Sequence, residues 1–241
     1  MSVKLKIAYN QFYAVSGMTF NWTTLFVKVK NIAYAKQVDL YYSPYGSSGW
    51  QVKSLAFSEN FGNYDLFGTD SSGVLSHVET FALRYRVAGQ EFWDNNGGAN
   101  YHINSLFNGV VGGNVRLGNA RAVRRWEGGG GSTYDTGKFE GEILVNNLAY
   151  RKRVGLHYTR DGGRTWHAVE ASYHGPVKAV AANVSGVEIW KFQTPQYNID
   201  TTSDVYRFAV FFEVPDWGMT YWDNNFGQDY FLSKADGAEL K

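Results

Sequence analysis

The sequence predicts an all-β chain, and three observations carry that expectation. Leu25–Val29 (LFVKV), Val38–Tyr42 (VDLYY), Phe81–Val87 (FALRYRV) and Val205–Val214 (VYRFAVFFEV) are short runs of β-branched and aromatic residues, separated by Gly, Asn and Ser turns. No window carries a convincing 3.6-residue apolar stripe, and only Lys178–Val184 is expected to make a single helical turn. The chain also repeats itself. Val29–Trp50 (VKNIAYAKQVDLYYSPYGSSGW) aligns without a gap to Val145–Trp166 (VNNLAYRKRVGLHYTRDGGRTW), with 10 of 22 positions identical at an offset of 116. Trp93–Ile103 (WDNNGGANYHI) aligns to Trp222–Leu232 (WDNNFGQDYFL) with 6 of 11 identical at an offset of 129. Two copies of roughly 110–125 residues are too few for a solenoid, and each is long enough to close its own core. Short strands at this spacing suggest two tandem immunoglobulin-like antiparallel β-sandwich domains, residues 1–108 and 114–241.

The segments between strands follow from the alignment. The boundary is expected in Asn108–Asn114 (NGVVGGN), where Gly and Asn cluster between periodic stretches. Gly128–Ser132 (GGGGS) has the composition of a linker, but it lies between strand-like Asn114–Trp126 and Lys138–Asn146, the counterpart of Thr23–Lys30. It is therefore expected to be a hairpin loop inside the second domain.

Composition excludes several classes of function. The 241 residues hold 23 Lys and Arg against 22 Asp and Glu, so the net charge of +1 supplies no general field for nucleic acid or an anionic membrane. Basic clusters at Arg116–Arg125 and Arg151–Arg153 are read as solvated strand faces, so no nucleic-acid partner is expected. No apolar run approaches the ~20 residues of a membrane span. The start, MSVKLKIAY, is too short an apolar run for a secretory signal, so the chain is expected to be cytoplasmic, or secreted with its signal removed. There are no cysteines, and the five histidines lack paired ligand spacing, so no metal or cofactor is expected. The unusual quantity is aromatic content, 17% of the chain.

The Trp-Asp-Asn-Asn motif followed by Tyr occurs twice, and it admits two readings. An indole offers flat apolar area and a negative π face to the C–H face of a sugar ring, and neighbouring Asn side chains offer the donor and acceptor that vicinal hydroxyls need. Alternatively, the Trp packs in the core and the Asn residues build a turn. The block Asn31-Ile32-Ala33-Tyr34-Ala35-Lys36, repeated as Asn147-Leu148-Ala149-Tyr150-Arg151-Lys152, is open in the same way. Either it presents a Tyr platform with polar partners for a sugar, or it is a strand connection with a half-buried Tyr.

Both blocks in both halves resemble the starch-binding carbohydrate-binding module family 21. The residues that carry the resemblance are VKNIAY with Lys36, Trp50 and WDNNGGANY, then VNNLAY with Lys152, Trp166 and WDNNFGQDY. The resemblance implies a non-catalytic binder of α-1,4-glucan with two sugar sites per domain. One site would comprise Trp50 and Trp93 with Asn95 and Asn100, matched by Trp166 and Trp222 with Asn224. The other would comprise Asn31, Tyr34 and Lys36, matched by Asn147, Tyr150 and Lys152, with Phe57 and Tyr173 joining it. This chain departs from the family at Ala82 and Ala209, where a further stacking Tyr is carried, and at Asp229, which replaces the amide of Asn100. Those departures keep open a free-standing lectin for galactose or N-acetylated sugars. A glycogen-targeting scaffold fragment, or a module cut from an amylolytic enzyme, is the further alternative. The basic-Val-x-Phe sequence by which phosphatase-targeting members dock is missing, since RVAG (Arg86–Gly89) and RVGL (Arg153–Leu156) lack the final aromatic. The expected partner is a polysaccharide or oligosaccharide.

Catalysis is not expected. There is no HExxH, GxSxG or phosphate-cradling Gly loop. Asp94 and Asp223 could be thought of as glycosidase carboxylates, but in Asn-rich turns an Asp ordinarily bonds backbone amides. Thr159–Trp166 (TRDGGRTW) looks like a sialidase Asp-box, yet it aligns with Ser43–Trp50 and is read as a hairpin turn.

Overall fold

A computed structural model describes the chain except residues 48, 70–74, 76, 130–131 and 200–202, and gives the backbone alone for 127–129 and 132–134. The described residues form strands and a few single 3-10 turns, and no helix among them is long and apolar enough to cross a membrane. Two compact units result, Met1–Asn114 with Pro176–Val187, and Val115–Gly175 with Glu188–Lys241.

The first ten strands are β1 (Val3–Val15), β2 (Met18–Lys30), β3 (Lys36–Pro44), β4 (Gln51–Ser54), β5 (Ala56–Asn60), β6 (Tyr64–Gly68), β7 (Val78–Val87), β8 (Gln90–Asp94), β9 (Tyr101–His102) and β10 (Gly109–Val111). They make two antiparallel sheets, β10-β1-β2-β6-β5 and β4-β3-β7-β8, with β9 also on β7. Alternation buries one face of each. Leu5, Leu25 and Val27 from the first sheet share a core with Leu40, Leu83 and Tyr85 from the second. Tyr85 donates to the Lys30 carbonyl at 2.7 Å, and burial pushes its phenol up to about 12.

The other strands are β11 (Val115–Gly129), β12 (Ser132–Asn146), β13 (Arg153–Thr159), β14 (His167–Glu170), β15 (Ser172–Lys178), β16 (Asn183–Gln193), β17 (Tyr197–Asn198), β18 (Val205–Val214), β19 (Met219–Asp223), β20 (Tyr230–Ser233) and β21 (Glu239–Leu240). Their sheets run β15-β16-β12-β11-β21, with β17 on β12, and β14-β13-β18-β19, with β20 on β18. The core of the second unit centres on Phe139, whose ring meets those of Tyr158, Phe192, Tyr206 and Phe208.

One local expectation is corrected. Lys178–Val184 makes no helical turn. Ala179 N–H bonds the Ala182 carbonyl at 2.9 Å, and the segment turns β15 into β16. The division into units falls after Asn114, at the end of the segment where the boundary is expected, but part of that segment is structured: Gly109–Val111 is a ladder strand with Ile7 opposite Val111 and Tyr9 opposite Gly109. A Cβ on Gly109 would lie 3.0 Å from that of Tyr9, and one on Gly112 would lie 2.4 Å from the Leu5 carbonyl, so close approach explains these glycines. Around the Gly-rich segment, Gly129 pairs directly with Ser132, as a hairpin requires, while Gly130 and Gly131 lie outside the described residues.

Candidate functional site

Each Trp-Asp-Asn-Asn motif ends one strand and splits its residues between opposite faces. Asp94 points inward. Its carboxyl accepts from the Leu5 N–H at 2.7 Å and from the Tyr101 hydroxyl at 2.9 and 3.0 Å. The Leu5 N–H is available because the β1–β2 register shifts between Leu5 and Ile7. The second unit repeats the device: the register shifts between Leu117 and Asn119, and Asp223 accepts from Leu117 N–H at 3.1 Å and from Tyr230. Each carboxyl does accept from a backbone amide, as expected, but from a distant strand, so the two act as struts across the unit. Asn95 Oδ1 accepts from Gly98 N–H at 3.1 Å, and Asn224 Oδ1 from Gly227 N–H at 3.0 Å. Asn100 and Asp229 sit at φ 59° and 62°, a left-handed position that Asn and Asp tolerate. Turn chemistry thus accounts for the side-chain oxygens of Asn95 and Asn224, and the Nδ2 groups of Asn95 and Asn224 have no partner among the described residues.

The tryptophans face the other way, and Trp50, Trp93, Trp166 and Trp222 are all exposed. Trp93 rests on a charged underlayer. Tyr41 lies 4.8 Å from its ring, the Arg84 guanidinium lies over both Tyr41 (4.7 Å) and Trp93 (5.8 Å), and Trp93 Nε1 donates to Glu91 at 2.8 Å. Arg84 is in turn paired with Asp39 at 2.9 Å. Burial alone would raise the Asp39 pKa, but hydrogen bonds from Ser54, Gln37 and Arg84 outweigh it and hold the carboxyl below its ordinary value. Trp222 rests instead on His157, edge-on at 5.3 Å, and Phe211 at 5.5 Å. Register makes the correspondence strict. Arg84 opposes Trp93 as Phe211 opposes Trp222, and Asp39 opposes Arg84 as Gly155 opposes Phe211.

Trp166 lies against the Arg207 guanidinium at 5.6 Å, and Arg207 Nε donates to Asp229 at 2.8 Å. Arg207, Ala209 and Phe211 alternate along the outer face of β18, so Trp166 and Trp222 share that face, with Ala209 between their supports. Trp50 occupies the loop before β4, and no ring contact joins it to Trp93 among the described residues.

The Tyr loops close one end of each unit. Tyr34 and Tyr150 are fully exposed, at 102% and 103% of reference area, so neither is half-buried. Asn31 Nδ2 donates to the Gly62 carbonyl at 2.9 Å, and its Oδ1 accepts from Lys36 Nζ at 2.6 Å. Lys36 also pairs with Asp65, and the side chains of that pair are 7% and 3% exposed. In the second unit Lys152 Nζ donates to Asn147 Oδ1 at 2.7 Å and to Glu188 at 2.9 Å. The lysines are therefore props for the loop before they are donors to anything outside it. Phe57 is exposed against Phe67, and Tyr173 is exposed against Trp190 at 5.7 Å.

The profile of the carbohydrate/starch-binding module (family 21) matches residues 23–104 and 130–233. The chain belongs to that family. Glucoamylase 1 of Rhizopus oryzae is 32% identical to this family-21 chain over 106 residues, covering 42% of the chain and 15% of that protein. Protein phosphatase 1 regulatory subunit 3E of Mus musculus is 35% identical over 92 residues, 38% of this chain and 30% of its own length. Glycogen-binding subunit 76A of Drosophila melanogaster is 38% identical over 85 residues, 33% of this chain and 12% of its own. The chain thus spans no more than 30% of these relatives. A solved structure of the starch binding domain of Rhizopus oryzae glucoamylase, in complex with beta-cyclodextrin and maltoheptaose, is 29% identical, covering 50% of this chain and 92% of that one with a TM-score of 0.33.

Sequence reasoning named these exposed rings as candidates and missed what lies beneath them. Tyr41 and Arg84 under Trp93, and His157 and Phe211 under Trp222, become visible only through strand pairing, which puts Tyr41 and His157, 52 and 65 positions from their indoles, on one face with them. Glu188 and Trp190, which anchor the second Tyr loop, lie in the part of the chain where the repeat alignment is interrupted.

Proposed function

We propose that the chain is a non-catalytic binder of α-1,4-glucan polysaccharide, made of two immunoglobulin-like sandwich modules and bivalent through them. The observation that carries this reading is Tyr34 and Tyr150. Each is a fully exposed aromatic ring at the same point of the two repeats, held by a loop that is hydrogen-bonded and ion-paired beneath it. A tyrosine contributing nothing to the core, on a loop that is braced twice over, is arranged for a partner with an apolar face and directional hydroxyls. The exposed Trp50, Trp93, Trp166 and Trp222 supply the second set of platforms in this reading, with the amides of Asn95, Asn100 and Asn224 as polar partners for the sugar. Asn31, Lys36, Asn147 and Lys152 position the Tyr loops and offer the remaining polar atoms. Each platform adds roughly 1–2 kcal/mol, so a single site binds with a Kd on the order of 0.1–1 mM. A polymer that engages both modules gains roughly 10²-fold where geometry permits.

The test is affinity electrophoresis of the intact chain in gels containing glycogen, soluble starch, dextran or a galactan, beside a polysaccharide-free control. Retardation by glycogen and starch alone is expected. Retardation by galactan only, or by none, would overturn the glucan reading, and galactan binding would point to a lectin whose platforms lack the ring missing at Ala82 and Ala209.

A further inference from the structure

The two Tyr loops match, but the turns beside them do not. In the first unit Val87 is opposite Gln90, and Ala88 and Gly89 alone join β7 to β8. In the second unit Val214 is opposite Met219, and the turn is Pro215-Asp216-Trp217-Gly218. Pro215 opens a single 3-10 turn and Gly218 closes it at φ 61°, its N–H bonding the Pro215 carbonyl at 3.1 Å. Pro and a left-handed Gly suffice for this geometry, and the fold asks for no large apolar side chain between them. Trp217 is nevertheless there, 52% exposed.

The insertion is tied to the Tyr150 loop. Arg151 Nη1 donates to Asp216 Oδ1 at 3.2 Å, so the residue after Tyr150 meets the residue before Trp217. Both partners are well exposed and the pair adds little to stability; what it fixes is which turn faces which loop. The next residue, Lys152, reaches Glu188, which accepts from Trp190 Nε1 at 2.9 Å, and Trp190 meets Tyr173 edge-on. The two residues that follow Tyr150 are thus tied to two aromatic elements, Arg151 to the Trp217 turn and Lys152 to the Trp190–Tyr173 pair. The first unit repeats only the second of these elements, as Phe57 on Phe67, since Ala88-Gly89 carries no ring.

We propose that Trp217 is a binding residue that extends the Tyr150 site, so that the second module takes a longer stretch of α-glucan than the Tyr34 site takes. The inference rests on the glucan-binding reading above. A ring at Trp217 stacks only on a ligand long enough to reach it while Tyr150 is occupied, so its contribution depends on chain length. A disaccharide gains nothing from it, and a heptasaccharide gains one more stacked sugar.

The experiment is a titration of the intact chain with maltose and with maltoheptaose, followed by NMR on indole Nε1–H and backbone amide resonances. It is run on the parent, Trp217→Ala, Trp217→Tyr, Tyr150→Ala and Tyr34→Ala. Trp217→Ala is expected to weaken maltoheptaose at the Tyr150 site roughly 3- to 10-fold, the value of one aromatic contact, and to leave maltose within about twofold. Trp217→Tyr keeps a platform and retains most of the affinity, which separates a lost ring from a collapsed turn. If Tyr150→Ala abolishes binding at its site while Trp217→Ala titrates like the parent with both sugars, Trp217 is no part of the site and the glucan reading stands. If the parent shows no shift with either sugar, the glucan reading falls and this inference with it.

Discussion

Trp93 and Asp94 are neighbours in sequence with opposite duties, and exchanging each for alanine separates binding from stability. Trp93 is exposed, and its removal costs one tilted contact with Tyr41, the Arg84 cation near its ring and one hydrogen bond to Glu91, all at the surface and together about 1 kcal/mol. Asp94 is 3% exposed and serves two buried donors, the Leu5 N–H and the Tyr101 hydroxyl. Leu5 is wholly buried and Tyr101 is 3% exposed, so water cannot replace the carboxyl for either. Each buried donor left unsatisfied costs about 1–3 kcal/mol, which puts Asp94→Ala at about 4 kcal/mol. For a unit of this size roughly 4 °C per kcal/mol applies, so the first unit's unfolding transition should fall by about 15 °C. Asp94→Asn keeps one acceptor oxygen and should fall by about half as much. Calorimetry reads the transition, and glycogen affinity electrophoresis below it reads binding. Trp93→Ala should melt within about 4 °C of the parent yet migrate more freely in glycogen. The reasoning fails if the two variants melt together, since that would mean either that Trp93 belongs to the core or that the Asp94 strut carries no weight.

Three further outcomes follow from the same geometry. The double variant Tyr34→Ala/Tyr150→Ala removes two fully exposed rings, so its melting temperature should stay within about 2 °C of the parent while retardation by glycogen drops sharply; a large loss of stability would contradict the exposure of these rings. Lys36→Met leaves the buried Asp65 carboxyl without its cation and should destabilise the chain by about 3 kcal/mol, whereas Lys36→Met/Asp65→Asn should recover most of that in denaturant titration. Asp39, held below its ordinary value, binds its proton more readily when unfolded. Its share of stability is therefore complete above about pH 4 and is lost as pH falls further through the folded value, and Asp39→Asn should flatten that part of the stability–pH curve.

The strands and the repeat were legible because both are local patterns: alternation sets the face of every residue, and a gapless 22-residue alignment fixes the second copy against the first. What was not legible depends on chain segments meeting. Asp94 is a strut because of a bulge 89 residues away in β1, and Lys36 is a buried prop because Asp65 lies beneath it. Gly109 and Gly112 read as part of a Gly and Asn cluster at the domain boundary, but they are glycines because β1 passes too close for a Cβ. The same dependence limits what the repeated motif can say. Trp93-Asp94-Asn95-Asn96 and Trp222-Asp223-Asn224-Asn225 are identical in sequence and alike in backbone, down to the left-handed Asn96 and Asn225. Yet one indole lies on a Tyr41–Arg84–Glu91 layer and the other on His157 and Phe211. A cation held beneath a platform polarises its π face and fixes the ring through a charged network, while an aromatic underlayer holds it by packing. Identical motifs therefore set their indoles on unlike underlayers, one charged and one aromatic, so if both bind sugar as proposed the two are expected to differ in affinity.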